Sequence, residues 1–300
     1  MVNCLGKGRI IKALSGFYYV KDDDDNNVYS CKGRGLFRNK NISPLVGDFV
    51  TFDKINDEQG YITDILPRKN EFVRPPVANV AKALLVSSIV EPAFSAQLLD
   101  RFLVIVESKG IKPMIVLTKK DLAKEEELQK VARYKQQYEQ IGYPVVYFSL
   151  DEEVPEKLYQ FLKEDVTVIM GQSGVGKSTI LNNIEPSFNI ETGPISKSLG
   201  RGRHTTRHVE LHEINGGLVA DTPGFSSIEL TEIEADELSD CFIDLKEYAP
   251  YCKFRSCKHM KEPKCAVKEA VNEGSIFEER YNHYLIILEE ILSRKPRYSS

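Results

Sequence analysis

The segment that most constrains the fold is an apolar run followed at once by a glycine-rich loop. Residues 166–170 read VTVIM, and they are followed by GQSGVGKS, Gly171 to Ser178, and then by the helix-compatible TILNNI. This is the complete G-x-x-x-x-G-K-[ST] pattern, placed between a strand and a helix. Because a strand that is apolar throughout is covered on both faces, the segment predicts a parallel α/β sheet with flanking helices.

The loop has the residues needed to hold phosphate groups. Its glycines let backbone N–H groups wrap an anion, Lys177 can reach the β- and γ-phosphates in binding and catalysis, and the Ser178 hydroxyl can ligate Mg²⁺. The predicted nucleotide-binding residues of this loop are Gly171, Gln172, Ser173, Gly174, Val175, Gly176, Lys177, Ser178 and Thr179.

A second motif follows the next apolar strand, residues 217–221. That strand ends in DTPG, Asp221 to Gly224. An acid at this position after a P-loop strand holds the Mg²⁺ of a bound nucleotide, and the N–H of Gly224 can sense a γ-phosphate. On its own DTPG is only a turn, but after a P-loop it predicts the second switch of a GTPase.

The segment between these motifs predicts the first switch. Residues 200–208 read GRGRHTTRH, a composition that suits a loop ordered by nucleotide. We expect Thr206, or alternatively Thr205, to complete the Mg²⁺ ligands together with Ser178 and Asp221. A flexible basic loop with no such role is the alternative interpretation.

A base-reading motif precedes the P-loop. The strand at residues 113–117 is followed by TKKD, Thr118 to Asp121. The Asp121 carboxylate can accept from both the ring N–H and the exocyclic amine of guanine, while the Lys119 stem packs across the base. Thr118 stands where the usual motif has Asn, which weakens that contact. Ser149, with Leu150, follows the strand at residues 145–148 and is expected to contact the guanine oxygen through its backbone.

The order of the motifs indicates a circular permutation. Ordinary GTPases have the P-loop first, then the switches and then the base motifs, whereas here the base motifs come first. Such a rearrangement is tolerated because domain termini are exposed and often close together. It also makes the second switch lead directly into the C-terminal region.

The C-terminal region contains a candidate metal site. Cys252, Cys257, His259 and Cys265 are spaced C-x4-C-x-H-x5-C. Three thiolates and one imidazole form a closed tetrahedral site, typical of structural zinc. Free cysteines with an exposed histidine are the alternative. We expect the other cysteines, Cys4, Cys31 and Cys241, to be structural, because six cysteines in 300 residues are too few for a disulfide scaffold.

The first 65 residues show five short stretches of alternating apolar and polar residues, separated by turn signals. This pattern favours a five-stranded OB-type barrel. Residues 69–76 are predicted to be a linker. We therefore predict a multidomain chain with an OB-type RNA-binding β-barrel at residues 1–69, a circularly permuted α/β P-loop GTPase domain at 70–232, and an α-helical zinc-binding domain at 233–300.

Charge is distributed in patches. The net charge, 40 − 44 = −4, argues against binding nucleic acid by overall positive charge. Residues 32–40 and 197–208 nevertheless each contain four Lys or Arg and no acid, and residues 246–268 contain seven against two acids. These patches suggest phosphate contacts on a large partner, with solvated faces as the alternative. Aromatic residues beside the first patch (Phe17, Tyr18, Tyr19 and Phe37) could stack on bases.

The N-terminus has no apolar signal segment and the chain has no run of eighteen apolar residues, so we expect a cytoplasmic protein without membrane contact.

In its barrel-like start, the permuted motif order and the Cys-Cys-His-Cys cluster, the chain closely resembles the RsgA family, also called YjeQ or YloQ. The resemblance covers essentially the whole chain. It implies a GTPase that binds the small ribosomal subunit and its rRNA late in assembly, hydrolyses GTP to GDP and phosphate when stimulated by the subunit, and leaves in the GDP state. The expected ligands are GTP or GDP with Mg²⁺ and one structural Zn²⁺, and we expect a monomer.

The resemblance also implies a catalytic residue. Phe225 follows Gly224 where Ras-like enzymes soon carry a glutamine, and no glutamine is near. In the family, the histidine of the first-switch motif, here His204, is the proposed water-positioning residue. A contact between His204 and RNA phosphate is the alternative role.

Two other function classes stay open. An rRNA-binding scaffold would use the nucleotide as a structural or sensing ligand with negligible hydrolysis. An ATPase or kinase is disfavoured by Asp121, because adenine lacks the matching donor pair.

Overall fold

The computed structural model describes residues 4–33, 43–73, 75–150, 152–186, 209–221 and 230–294. The chain forms two compact units. The first comprises Met1–Leu84, Glu156–Ile169 and Lys177–Phe225, and the second comprises Leu85–Pro155, Met170–Gly176 and Ser226–Ser300.

The strands and helices of the described residues, in chain order, are β1 (Cys4–Leu14), β2 (Phe17–Asp22), β3 (Val28–Gly33), β4 (Phe49–Lys54), β5 (Gln59–Ile65), β6 (Glu71–Phe72), β7 (Val77–Ala78), β8 (Lys82–Ser88), α1 (Ala96–Ser108), β9 (Lys112–Thr118), α2 (Glu125–Ile141), β10 (Val145–Phe148), α3 (Glu156–Leu162), β11 (Glu164–Met170), α4 (Lys177–Ile184), β12 (Glu210–Ile214), β13 (Gly217–Asp221), α5 (Ile243–Tyr248), α6 (Ala266–Asn272) and α7 (Glu278–Leu292).

The first unit begins with a closed five-stranded barrel. Its strands lie in the order β1-β2-β3-β5-β4, and β1 also pairs with β4 to close it. The alternating apolar residues point inward, so that Ile10, Val20, Val50, Phe52 and Ile62 have no exposed surface. Closure leaves no free edge within this sheet. The prediction of an OB-type barrel is thereby confirmed.

The segment predicted as a linker is instead a short hairpin that follows the barrel. Strand β6 pairs with β7, and Ala78 N–H donates to the carbonyl oxygen of Val46 at 2.8 Å. The side chain of Asn79 accepts from Lys69 N–H at 2.9 Å and donates to the Gly47 carbonyl at 3.1 Å. A polar, proline-containing sequence misled the linker prediction because its amides satisfy backbone groups by non-local hydrogen bonds.

The rest of the first unit carries the strand leading to the P-loop. Strand β11 runs parallel to β13, β12 and β13 form an antiparallel hairpin, and β12 pairs with β1.

In the second unit, three strands lie side by side in the order β10-β9-β8, and β9 and β10 run parallel. The residues of β9 from Ile115 to Leu117 are at most 2% exposed, as expected for a strand covered on both faces. Helix α2 spans Glu125–Ile141. Three glutamates occupy its first turn, and Gly142 ends it with φ +110°.

The C-terminal part of the second unit is helical. Helices α5, α6 and α7 enclose a core that includes Phe242, Val267 and Tyr284, all without exposed surface. This agrees with the predicted helical region around the cysteine cluster. Within the described part of the chain, no helix has the length and apolar character needed to cross a membrane.

Candidate functional site

The glycine-rich loop leaves β11 through a backbone conformation that requires glycine. Gly171 has φ +150°, and a Cβ atom there would lie 2.3 Å from the carbonyl oxygen of Val86. Gly176 has φ +97°, which also favours glycine. These two positions let the loop turn tightly at the end of its strand, as a phosphate-binding loop does.

The base-reading motif is tied to this loop. Thr118 ends β9, is 2% exposed, and its Oγ1 donates to the Val175 carbonyl oxygen at 2.6 Å. The contact joins two motifs that are 57 residues apart in the sequence. The Thr118 hydroxyl therefore binds the loop. Direct contact between Thr118 and a base stays a prediction.

The second predicted base-contacting loop lies at the same sheet edge. Phe148, the last residue of β10, is in register with Thr118 on the parallel neighbour β9. Ser149 therefore begins its loop beside the TKKD motif. The residue is 3% exposed, and its Oγ has no hydrogen-bond partner in the described part of the chain.

Lys119 and Asp121 differ in exposure. Asp121 lies exposed on a short 3₁₀ turn, where its carboxylate is open to a ligand. Lys119 is half-buried with φ +60°, and its ammonium donates to the carbonyl oxygen of Glu91. The lysine stem is therefore held in one place before any base is bound.

The residue that holds Lys119 was missed by sequence reasoning. Glu91 lies in the loop after β8, and Ser88 Oγ donates to the Pro92 carbonyl at 2.7 Å to close that loop. Both contacts use backbone carbonyl groups, which every residue has. The only signal in the sequence was the position of the loop, which follows an apolar strand at the edge of the sheet where ligands bind.

Burial affects the predicted phosphate-binding lysine. It lowers the pKa of Lys177 to about 8, because removing the ammonium from water disfavours its charged form. At neutral pH most of the population still carries the charge that attracts phosphate.

The remaining catalytic predictions fall at or beyond the limits of the described residues. Asp221 is the last residue of β13, paired in register with Glu210 of β12. His204, Thr205, Thr206 and Gly224 lie outside the described residues. Their roles stay predictions.

The four predicted metal ligands meet at one point. One ligand atom from each of Cys252, Cys257, His259 and Cys265 lies within 4.8 Å of the other three. His259 Nδ1 is 3.5 Å from Cys252 Sγ and 3.4 Å from Cys265 Sγ, and the two sulfurs are 3.8 Å apart. Tetrahedral zinc with bonds of about 2.3 Å to sulfur and 2.0 Å to nitrogen gives ligand separations of about 3.5–3.8 Å. The cluster therefore has the dimensions to hold a metal ion.

The surroundings of the cluster also fit a cation. Burial raises the pKa of Cys265 to about 12 and that of Cys257, since thiolates are disfavoured away from water. A bound metal would supply the charge that stabilises them. His259 is 1% exposed, which rules out the alternative of an exposed histidine. Cys31 and Cys241 are buried, free and outside the cluster.

Cations and aromatic rings are paired on two surfaces. On the barrel, Lys32 Nζ lies 4.9 Å from the ring centre of the exposed Phe17. Beside the metal cluster, Lys253 Nζ lies 5.3 Å from the Phe254 ring, and Tyr251 is 78% exposed. Tyr18 and Tyr19 are half-buried, and Phe37 lies outside the described residues. Such pairs suit stacking on bases next to phosphates.

Comparison with known proteins agrees with this geometry. The RsgA GTPase family model matches residues 65–231, and the RsgA N-terminal domain model matches residues 7–62. "Small ribosomal subunit biogenesis GTPase RsgA 2" of Oceanobacillus iheyensis is 57% identical, covering 98% of this chain and 100% of the relative. The protein named "Small ribosomal subunit biogenesis GTPase RsgA" in Bacillus subtilis is 51% identical, covering 97% and 99%.

Solved structures match at the level of the whole fold. A crystal structure of YloQ, described as a circularly permuted GTPase, has TM-score 0.85 at 46% identity and covers 98% of each chain. YjeQ from Thermotoga maritima also has TM-score 0.85, at 35% identity, covering 97% of this chain and 100% of that one. The permuted motif order, the barrel and the cysteine–histidine cluster thus occur together, and the chain belongs to the RsgA GTPase family.

Proposed function

We propose that this chain binds GTP with Mg²⁺ and hydrolyses it to GDP and phosphate when stimulated by the small ribosomal subunit. The observation that carries this proposal is the hydrogen bond between Thr118 and Val175, which brings a guanine-reading motif onto a phosphate-binding loop. The exposed carboxylate of Asp121 matches the donor pair of guanine, which adenine lacks.

Each part of the nucleotide has its own set of residues. Asp121 accepts from the guanine N–H groups, Lys119 packs along the base, and the backbone at Ser149 contacts the guanine oxygen. The loop from Gly171 to Thr179 wraps the phosphates, with Lys177 at the β- and γ-phosphates. Ser178, Thr206 and Asp221 would hold Mg²⁺, which would supply charge stabilisation at the phosphates.

Catalysis depends on positioning a water molecule. Phe225 has no hydrogen-bonding group, so it cannot orient water as a glutamine would. We assign that task to His204, aided by Lys177 and by Gly224, whose N–H senses the γ-phosphate. Contact with the subunit brings His204 into place, so turnover without the subunit is slow.

The partner is the small ribosomal subunit and its rRNA. The names of close relatives point to this subunit, and the pairs Lys32–Phe17 and Lys253–Phe254 offer surfaces for RNA. We propose a monomer that acts in the cytoplasm as a late assembly checkpoint and leaves the subunit in the GDP state.

The proposed domains divide the work. The barrel at residues 1–69 binds RNA, residues 70–232 bind and hydrolyse GTP, and residues 233–300 hold one zinc ion. Zinc is assigned a structural role because the four protein ligands would fill all positions of a tetrahedral ion.

The test is GTP hydrolysis by the purified chain, alone and with small subunits, large subunits or bulk RNA. The expected result is strong acceleration by small subunits only. If no addition accelerates hydrolysis, the chain is an RNA-binding scaffold with a bound nucleotide. Competition between GTP and ATP for a fluorescent nucleotide tests base recognition, and displacement by ATP as effective as that by GTP would refute the role of Asp121.

A further inference from the structure

The first strand of the barrel extends beyond the barrel and pairs with β12, which belongs to the same unit. The first half of β1 pairs with β4 inside the barrel, from Cys4 opposite Lys54 to Arg9 opposite Phe49. Beyond a register shift between Ile10 and Lys12, β1 instead pairs with β12. A shift of this kind redirects a strand. The barrel is therefore joined to β12 by backbone pairing as well as by side chains.

The register places three residues in one row across three strands. Lys12 of β1 lies opposite Glu210 of β12, and Glu210 lies opposite Asp221 of β13. In the sequence, Glu210 comes two residues after His208, where the proposed first switch ends, and Asp221 opens the DTPG of the second. This single row thus connects the barrel to the strand ends from which both proposed switches extend.

An ion pair reinforces the row. Lys12 Nζ lies 2.7 Å from Glu210 Oε2, and their side chains are 32% and 35% exposed. A second pair, Lys21 with Glu213, also joins the barrel to β12 at 2.7 Å. Glu213, however, lies opposite Leu218 within β13 and not opposite Asp221. The two pairs therefore differ in their distance from the end of β13, and the Glu213 side chain, at 63% exposed, is also more exposed than that of Glu210.

We propose that Lys12 and Glu210 are positioning residues, through which the barrel holds the end of β13 at Asp221 in the geometry that stimulated hydrolysis needs. The inference rests on the proposed GTPase function and on the Mg²⁺ role of Asp221. The proposed effect acts on the rate of stimulated hydrolysis, to which the reciprocity of binding free energies does not extend, so the affinity for GTP need not change. Lys21 and Glu213 dock the barrel but do not carry this coupling.

The experiment compares charge reversals at the two pairs in the full-length chain. Lys12→Glu and Glu210→Lys are made singly and together, and Lys21→Glu and Glu213→Lys serve as the matched control pair. The readouts are the ratio of subunit-stimulated to unstimulated kcat, the KM for GTP, and the affinity for small subunits with GDP or a non-hydrolysable GTP analogue.

We expect each single reversal at Lys12 or Glu210 to lower the stimulation ratio by about threefold to fivefold, in keeping with the modest strength of half-exposed ion pairs. The double reversal restores the ratio, and KM changes little. Reversals at Lys21 or Glu213 leave the ratio at the wild-type value. Lys12→Gln removes one charge without adding repulsion, so it lowers the stimulation ratio by less. This variant keeps the test decisive if a charge-reversed variant does not fold.

Three results would overturn the inference. Single reversals at Lys12 or Glu210 could keep the wild-type stimulation ratio. Reversals at the control pair could lower that ratio by as much. The double reversal of Lys12 and Glu210 could fail to restore it. A wild-type chain that hydrolyses no GTP with any partner would instead refute the proposed function, and that outcome is read from the unmutated protein alone.

Discussion

Thr118 donates a hydrogen bond of 2.6 Å to the carbonyl oxygen of Val175 and so ties the end of β9 to the middle of the phosphate loop. The threonine is 2% exposed, so this bond is shielded from water. The sequence comparison with the usual Asn-Lys-x-Asp motif predicted a weakened contact with the base. In the structure the hydroxyl supports the loop, and recognition of the base by Lys119 and Asp121 stays a prediction.

Replacing this hydroxyl tests its role. Thr118→Val keeps the shape but leaves the Val175 carbonyl without its donor, a loss of about 1–1.5 kcal/mol. We expect the affinities for GTP and GDP to fall together by about fivefold to tenfold, measured by titration with a fluorescent nucleotide. Thr167→Val is the control, because Thr167 is equally buried and its hydroxyl has no partner among the described residues. Equal losses in both variants would contradict the assignment.

The lowered pKa of Lys177 predicts that nucleotide affinity depends on pH. Burial disfavours its charged form in the free chain, whereas bound phosphates favour it and raise the pKa again. Binding therefore takes up a proton above pH 8, and affinity falls as the pH rises. Between pH 7.5 and 9 we expect a decrease of up to about tenfold for GDP, and little change below pH 7.

Guanosine is the control for this pH profile, since it has the base but no phosphates. Its affinity reports titration of the base alone, and we expect it to fall much less than that of GDP between pH 7.5 and 9. A decrease for guanosine as steep as that for GDP would show that Lys177 is not the titrating group.

Short-range sequence patterns predicted the strands and helices best. The features that were missed depend on contacts between residues far apart in the sequence. The strand at residues 145–148 was predicted with its observed bounds, because a short apolar run is a signal within one stretch of chain. The role of Glu91 depends on a backbone carbonyl, and the pairing of Lys12 with Glu210 joins strands almost 200 residues apart. No periodicity encodes such contacts. The hairpin at β6 and β7 was missed for the same reason, since its amide partners lie across the barrel junction.

His204→Ala tests the proposed water-positioning residue. We expect the variant to lose most subunit-stimulated hydrolysis, about 10²-fold or more for a lost positioning group, while its affinity for GDP stays near the wild-type value. His208→Ala changes another histidine close by in the sequence and should keep stimulation. If His204→Ala instead weakens subunit binding and hydrolyses normally at saturating subunits, the histidine contacts RNA.

The metal cluster predicts one tightly held zinc ion per chain. Cys252→Ser removes one of four ligands, so we expect the purified variant to contain little zinc and its C-terminal helices to unfold at lower temperature. Cys241→Ser alters a buried cysteine of the same helical core outside the cluster and should keep full zinc content. Metal analysis of the two variants measures their zinc content, and circular dichroism measures their unfolding temperatures. A zinc-replete Cys252→Ser protein would refute the ligand assignment.

The strongest stability prediction concerns a buried arginine of α7 that binds carboxylates of α1 and α5. Arg280 is 4% exposed, donates from Nε to both carboxylate oxygens of Asp244 at 2.9 and 3.0 Å, and also donates to Asp100. Asp100 in turn accepts from the hydroxyl of Tyr138 at 3.0 Å and lies 2.6 Å from His283 Nδ1. Removing the arginine would take the guanidinium away from the buried carboxylate of Asp244 and leave Asp100 with only Tyr138 and His283, which costs about 3–5 kcal/mol.

Arg280→Met should therefore lower the free energy of unfolding by about 3–5 kcal/mol in urea at constant zinc concentration. The control is Arg101→Met, since Arg101 pairs with Glu290 between α1 and α7, where Glu290 is 43% exposed. An exposed pair of this kind contributes at most about 1 kcal/mol. Similar losses in the two variants would mean that water reaches the Arg280 network, and that α1 and α7 are held together mainly by apolar packing.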